Sequence, residues 1–241
     1  MHAFRLPLLS GVESLRHVFV GRGPAPRPEP PALTRELLGG ADHRPVTLAR
    51  ARQVHSNRCL LVDGQTAMPE GIVGDGDALA TSSGGIALGV ATADCLPLIL
   101  VDPVSRALGV VHAGWRGTVA GVLTSALDLM REKLDARPGR MVIGAGPAVG
   151  ACCYRVGAEV IEAFERAYPA HINMIARRPA PGVTHLDLLE ANRLQAQDAG
   201  VDLARFESLD LCTVCHPEET HSYRRQGLSA GRMWALGMLV D

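Results

Sequence analysis

The middle of the chain carries three short apolar runs, at residues 86–92, 96–101 and 107–111, separated by turn-forming Gly, Asp and Pro. Their length and β-branched content predict strands buried on both faces, which need no polar alternation. Similar runs at 16–20, 46–51, 58–62, 78–81, 140–144 and 206–211 add further strands, with a turn over Gly74-Asp75-Gly76-Asp77. Residues 118–134 set Val119, Val122, Leu123, Ala126, Leu127 and Met130 at helical spacing. Arg131 and Lys133 near its end suit the negative pole of a helix. Residues 156–168 and 185–197 predict two more amphipathic helices, the second closed by Gly200, and 34–38 a short one ended by Gly39-Gly40. The proline-rich stretch RGPAPRPEPP, residues 22–31, reads as a loop. The tail at 231–239 is ambiguous. Strands and helices mix without strict alternation or internal repeat. The predicted fold is α+β (mixed α/β), one domain over residues 1–241, with a large mixed β-sheet core flanked by helices.

Composition narrows the function classes. Hydrophobic residues make up 47% of the 241 and charged residues 20%, and the net charge is −1. No basic excess favours nucleic acid, and no charge block favours a membrane surface. The first 19 residues lack the pattern of a secretory signal, and the longest apolar stretch is interrupted by Asp94 and Pro97. The expected location is therefore cytoplasmic. There the six cysteines, Cys59, Cys95, Cys152, Cys153, Cys212 and Cys215, are expected as thiols or metal ligands rather than disulfides.

Candidate chemistry gathers where apolar runs end. QVHS with His55, TADCLP with Cys95 and VVHAGW with His112 each put a metal-ligand type beside small or turn-forming residues. Two imidazoles and one thiolate can hold zinc and leave a fourth position for water or substrate. Taken singly, each also reads as a turn or core residue, because their separations match no local metal motif. Asp94, between two apolar strands, must be paired or hydrogen-bonded. Asp94 and Asp77 are candidates for orienting a ligand or moving a proton. In HAGWRGT, Gly117 and Thr118 at a helix start, with Arg116 and also Arg52, are candidates for holding phosphate. Cys212-Thr-Val-Cys215-His216 matches the haem attachment pattern, but the chain shows no export context; as half of a zinc site it lacks a second such pair. Cys152 and Cys153 beside Tyr154 read as core or pocket wall. GAGPAVG departs from the dinucleotide-loop spacing, and no GxSxG is present.

With these residues assembled, the chain resembles the bacterial YfiH-like proteins, also called the multicopper polyphenol oxidase or laccase-domain family. The matching stretches are RQVHS, GDGDALAT, TADCLPLILVD, GVVHAGWRGT, IGAGPAVGACCYRVG, LDLLEANRLQAQDAGV, DLCTVCHPEETHSYRRQG and the final GRM. The resemblance implies a metal site on His55, Cys95 and His112, and a mixed α/β fold of a type compared with cysteine-hydrolase toxins. It also implies purine nucleoside and phosphate as partners, with phosphorolysis and adenosine deamination in one site. Zinc is the expected cofactor and copper the alternative. Two other readings come with it, a Cys95 thiol hydrolase acting on peptidoglycan precursors and a copper-dependent polyphenol oxidase. Three positions depart from the family pattern: Ser56 stands where glycine is usual, residues 22–31 replace a glycine-rich stretch, and Arg155 replaces an acidic residue.

Overall fold

The computed structural model describes residues 1–23, 30–39, 46–68 and 71–240. In the first half the strands are β1 (Ala3–Phe4), β2 (Leu15–Val20), β3 (Thr47–Arg52), β4 (Cys59–Leu61), β5 (Ile72–Asp75), β6 (Ala78–Thr81), β7 (Ile86–Thr92), β8 (Leu96–Asp102) and β9 (Ala107–Ala113). In the second half they are β10 (Val142–Ala145), β11 (Arg155–Val156), β12 (Ala176–Ala180), β13 (Val183–Leu186), β14 (Phe206–Ser208) and β15 (Met233–Leu239). The helices are α1 (Pro7–Ser10), α2 (Pro30–Leu38), α3 (Trp115–Val119), α4 (Val122–Leu134), α5 (Ala158–Ala167), α6 (Ile172–Ile175), α7 (Leu188–Asp198) and α8 (Tyr223–Gln226).

The mixed α/β expectation holds, with the sheet content divided in two. One six-stranded mixed sheet runs β1-β2-β15-β7-β3-β5 and the other β14-β10-β8-β9-β6-β4; β11, β13 and β12 form a small third sheet. The two large sheets share an apolar layer that includes Leu88, Val90, Ile99, Val101, Leu108, Val110 and Ala235. Helices α4, α5 and α7 cover the far face of the second sheet through Leu98, Val111, Leu123, Leu127, Phe164 and Leu194. Helix α2 covers the far face of the first through Leu38, Leu48, Ala87 and Leu236. The central strands are thus apolar on both faces, as β8 shows with Leu98 and Leu100 on one side and Ile99 and Val101 on the other. Glycines permit the closest approaches. A Cβ on Gly109 would lie 2.8 Å from the Met130 sulfur of α4, and one on Gly237 would lie 3.1 Å from Leu108 Cδ1.

Several boundaries differ from the sequence reading, each for a physical reason. Gly121, at φ 79°, breaks the predicted 118–134 helix, so Thr118 belongs to α3 and the stripe from Val122 to α4. The predicted 185–197 helix starts later, at Leu188, because the Asp187 carboxylate accepts from Glu190 N–H and caps it, while 183–186 pair as β13. Pro30 and Pro31 open α2 rather than extending the loop, since a first turn has no use for the N–H that proline lacks; residues 24–29 lie outside the described residues. Gly74 and Asp75 end strand β5, which leaves the turn to residues 76–77. The ambiguous tail forms β15 between β2 and β7, where both faces are covered and no alternation could mark it.

The packing between sheets yields a stability prediction. Leu108→Ala opens a void against Gly237 and should cost about 2–5 kcal/mol. The expected reading is a lower urea midpoint at unchanged slope. An unchanged midpoint would contradict the face-to-face contact.

Candidate active site

Asp77, fully buried at the start of β6, organises the site. Its Oδ1 accepts from His55 N–H (3.0 Å), and its Oδ2 accepts from the N–H groups of Val54 (3.2 Å) and Ser56 (2.6 Å) and from Ser56 Oγ (2.8 Å). Oδ1 also meets His112 Nδ1 at 2.9 Å, and the Asp77 carbonyl accepts from His112 N–H at 2.7 Å. One carboxylate therefore shapes the QVHS loop and engages Nδ1 of His112, which leaves Nε2 as the ring nitrogen available to a ligand. His55 sits at φ 59°, a backbone region that a non-glycine residue holds only when its surroundings impose it. The Gln53 amide fixes the loop's other end, donating to Ala91 O and accepting from Ala91 N–H, both at 2.8 Å. Ser56, one of the departures from the family pattern, adds a hydroxyl donor to Asp77.

Cys95 is held by a second carboxylate. Asp94, at φ 92°, accepts from Thr213 Oγ1 at 2.5 Å and from Arg224 N–H at 2.6 Å, and its carbonyl accepts from Val149 N–H at 2.9 Å. These bonds tie the β7–β8 turn to segments far along the chain. Cys95 Sγ then lies 4.0 Å from His55 Nε2, and the rings of His55 and His112 meet edge-on with centroids 4.9 Å apart. Ligand atoms of His55, Cys95 and His112 all fall within 4.8 Å of one another. A tetrahedral ion with bonds of about 2.0–2.3 Å spaces its donors roughly 3.5 Å apart, so two nitrogens and a sulfur in this arrangement fit one. Gly114 leaves the space clear, because a Cβ there would stand 3.0 Å from both Cys95 Sγ and His55 Cδ2.

The three residues line a cavity of about 680 Å³, together with Gln53, Ala91–Asp94, Tyr154, Tyr223, Arg224 and Arg232. That size suits a small-molecule ligand. The Arg224 guanidinium sits over the Tyr154 ring at 4.9 Å. The structure thus brings His55, Cys95, His112 and Asp94 together at the cavity, with Asp77 directly behind His112.

The other candidates lie elsewhere. Arg52 is exposed and ion-paired to Asp75. Arg116 is exposed and stacked on Trp115 at 4.3 Å, outside the cavity lining. Gly117 and Thr118 are buried behind the site. Thr118 does not cap a helix; its hydroxyl accepts from Asn192 and its carbonyl from Tyr168 and Gln195, which lock α3 onto α7. The helix start instead falls at Gly114. Arg155 is exposed and lines no part of the cavity. The cavity groups that went unassigned, Tyr154, Tyr223, Arg224 and Arg232, all stand inside stretches that carried the family resemblance.

The metal-free constellation is strongly polarised. Burial would push the Cys95 thiol up, but hydrogen bonds and charge from His112 and His55 outweigh it and bring the thiol down to about 6. Burial also opposes charge on His112, yet Asp77 and the Cys95 sulfur hold it up at about 9. Asp77, despite the cost of burial, is drawn down to about 2 by His112 and Ser56. In stability the Cys95 and His112 shifts offset each other. The imidazolium contributes stability that is complete below 6.5 and lost as pH rises through about 9. The thiolate contributes stability present above 9.0 and lost as pH falls through about 6. Between these limits the folded and unfolded pairs hold the same single proton, so the pair leaves stability flat.

Two packed mixed sheets that present two imidazoles and a thiol side by side at an open cavity define a fold with a candidate metal-ligating group at its sheet ends. The chain belongs to the multi-copper polyphenol oxidoreductase laccase family, whose sequence profile matches residues 32–240. It is 38% identical to the adenosine deaminase RL5 of an unknown prokaryotic organism, over 77% of this chain and 72% of that one. It is 32% identical to a purine nucleoside phosphorylase of Bacteroides thetaiotaomicron, over 76% and 78%. The crystal structure of YlmD from Geobacillus stearothermophilus superposes with a TM-score of 0.86 at 26% identity, covering 100% of this chain and 97% of that one. The motif-based resemblance is borne out at the level of family and fold.

Alkylation checks the polarised pair. In metal-free protein, iodoacetamide should modify Cys95 with a pH midpoint near 6, read by mass spectrometry of the Cys95 peptide. Asp77→Asn, which frees His112 from its clamp, should move that midpoint upward and weaken metal binding by about 10–100-fold. A midpoint near 9.0 in the unaltered chain would rule the pair out.

Proposed function

We propose that this chain is a zinc-dependent purine nucleoside enzyme. It carries out phosphorolysis of adenosine, inosine, guanosine and methylthioadenosine and deamination of adenosine in one cavity. The observation that carries the reading is the convergence of His55, Cys95 and His112 at a cavity that also holds two arginines and two tyrosines. The names of the relatives, adenosine deaminase and purine nucleoside phosphorylase, supply the substrate class.

His55, Cys95 and His112 would hold the ion, which supplies a Lewis acid that makes water a nucleophile at neutral pH. Asp77 acts as a positioning group. With five donors on its two oxygens it has no lone pair left to take a substrate proton. Among the described residues Asp94 accepts two hydrogen bonds at its carboxylate, against five at Asp77, and it lines the cavity, so it is the carboxylate assigned to proton exchange with the substrate. Arg224 and Arg232 replace Arg52 and Arg116 as the cations for phosphate, because they face the cavity. Tyr154 keeps its proton, its hydroxyl raised to about 12 mainly by burial, and offers a ring face for the purine and an O–H donor. The reading takes residues 1–241 as one domain.

One observation favours a second reading. A depressed thiol paired with an imidazolium is also the resting state of a cysteine nucleophile, as a thiol hydrolase requires. The copper oxidase reading finds less support, since no methionine among the described residues lines the cavity to serve as a weak axial ligand.

A product assay with nucleoside and phosphate separates these readings. His112→Ala should lower both phosphorolysis and deamination by about 10²-fold or more, as should a chelator, with zinc restoring the unaltered chain. Arg224→Gln should weaken phosphate use by about tenfold while sparing deamination. Activity that survives the chelator and is abolished by alkylation of Cys95 would instead establish the hydrolase.

A further inference from the structure

Of the five cysteines that do not line the cavity, four meet in space. The Sγ atoms of Cys152, Cys153, Cys212 and Cys215 all lie within 4.8 Å of one another. Cys215 Sγ stands 3.7 Å from Cys152 Sγ and 3.5 Å from Cys153 Sγ. A disulfide requires about 2.05 Å, whereas the edge of a tetrahedron of sulfurs around an ion with bonds of about 2.3 Å is roughly 3.8 Å. The observed spacings belong to the second arrangement. We propose that these four cysteines form a second metal centre, a tetrahedral thiolate site for a zinc-class ion that clasps the wall of the cavity.

The local structure is built for it. In sequence the Cys212–Cys215 pair lacks a partner pair at the same spacing, and the fold supplies an adjacent one. The turn over residues 151–153 directs the sulfurs of Cys152 and Cys153 toward the Cys212–Cys215 loop. The two segments are joined by a parallel bridge between Ala148 and Cys212, and Thr213 N–H donates to Ala148 O at 2.9 Å. Cys212 Sγ accepts from Gly150 N–H at 3.3 Å. N–H donors around a sulfur stabilise it as a metal-bound thiolate. Gly150 has no Cβ to obstruct the group; one would stand 3.2 Å from Cys152 Sγ and 3.4 Å from Cys212 Sγ. His216 turns away, its Nδ1 bonded to Cys212 O at 3.0 Å, so four sulfurs form the donor set. All-sulfur tetrahedral donors select a soft ion of the zinc class.

The position gives the centre a purpose. Tyr154 follows Cys153 directly and lines the cavity, and Thr213, between the paired cysteines, donates to Asp94. Arg225 donates to the carbonyls of Thr213 and Val214, while its neighbour Arg224 stacks on Tyr154 and donates its N–H to Asp94. An ion bridging the two loops would fix Tyr154 relative to Asp94 and Arg224.

Elemental analysis of the purified full chain tests the proposal. The expected result is two equivalents of zinc per chain, falling to one in His112→Ala and to one in the Cys212→Ser, Cys215→Ser double variant. If the double variant fails to fold, cobalt(II) added to His112→Ala keeps the question open to measurement. Intense thiolate-to-cobalt charge-transfer absorption with a tetrahedral ligand-field band is then expected. Either of two results would overturn the proposal. One is a stoichiometry of one or less that His112→Ala abolishes. The other is a disulfide among Cys152, Cys153, Cys212 and Cys215, found by mass spectrometry without reduction. The count at the four cysteines does not depend on whether His55, Cys95 and His112 hold an ion.

Discussion

The site depends on one buried carboxylate. Asp77 is removed from water entirely, and an ionised group in that position is tolerated only when donors replace its hydration. Here the donors are the N–H groups of Val54, His55 and Ser56, the Ser56 hydroxyl and the His112 ring. Because the same two oxygens bind both the QVHS loop and His112, the two imidazoles cannot be placed independently. The left-handed backbone at His55 is a local cost that this charge-assisted network offsets. Asp94 repeats the device for Cys95, again on a left-handed backbone and again with its oxygens held by distant segments. Two residues with left-handed backbones at adjacent strand ends, His55 held by Asp77 and Asp94 held through its own carboxylate, help bring two rings and a sulfur within reach of one another.

How much of this was legible in the sequence follows from which signals are local. Strands β7, β8 and β9 were legible because their apolar runs are bounded by turn residues, and almost every position in them is buried. His55, Cys95 and His112 were legible as residue types at the ends of such runs, although their convergence is a tertiary fact that spacing alone could not carry. The division into two sheets was not legible, because strands apolar on both faces look alike whether they have one sheet or two to join. For the same reason the tail that forms β15 was ambiguous: Ala235 and Leu239 face the inter-sheet layer while Leu236 and Met238 face the outer one.

The grouping of Arg116, Gly117 and Thr118 as phosphate candidates has a single source. Reading Thr118 as a helix cap placed the helix start four residues too late and drew Arg116 into the site with it. In the fold the helix begins at Gly114, and Gly121 ends it almost at once by adopting a conformation that β-carbon-bearing residues avoid. Thr118 then becomes a core polar group whose hydrogen bonds join α3 to α7. The cations that do face the cavity, Arg224 and Arg232, come from the last tenth of the chain, where nothing in the local pattern distinguishes them from the many other arginines.

The cavity is therefore assembled from two sources with different demands. Its floor comes from strand ends in the first half of the chain, held by buried carboxylates. Its wall comes from Tyr154 and residues 211–232, which lie on loops and the short helix α8 outside the large sheets. Loops of that kind open more easily than sheet strands, because fewer buried contacts resist them. Hydrogen bonds donated to Asp94 by the Thr213 hydroxyl and Arg224 N–H supply one link between wall and floor. A second, at the four clustered sulfurs, would act on the other side of the same loops, and an ion there would hold Tyr154 in place without occupying the cavity itself. Positioning a substrate between floor and wall asks that both keep their separation to within a fraction of an ångström. A fold that fixes its ligands with hydrogen-bonded aspartates gains little from that accuracy if the opposite wall is free to move.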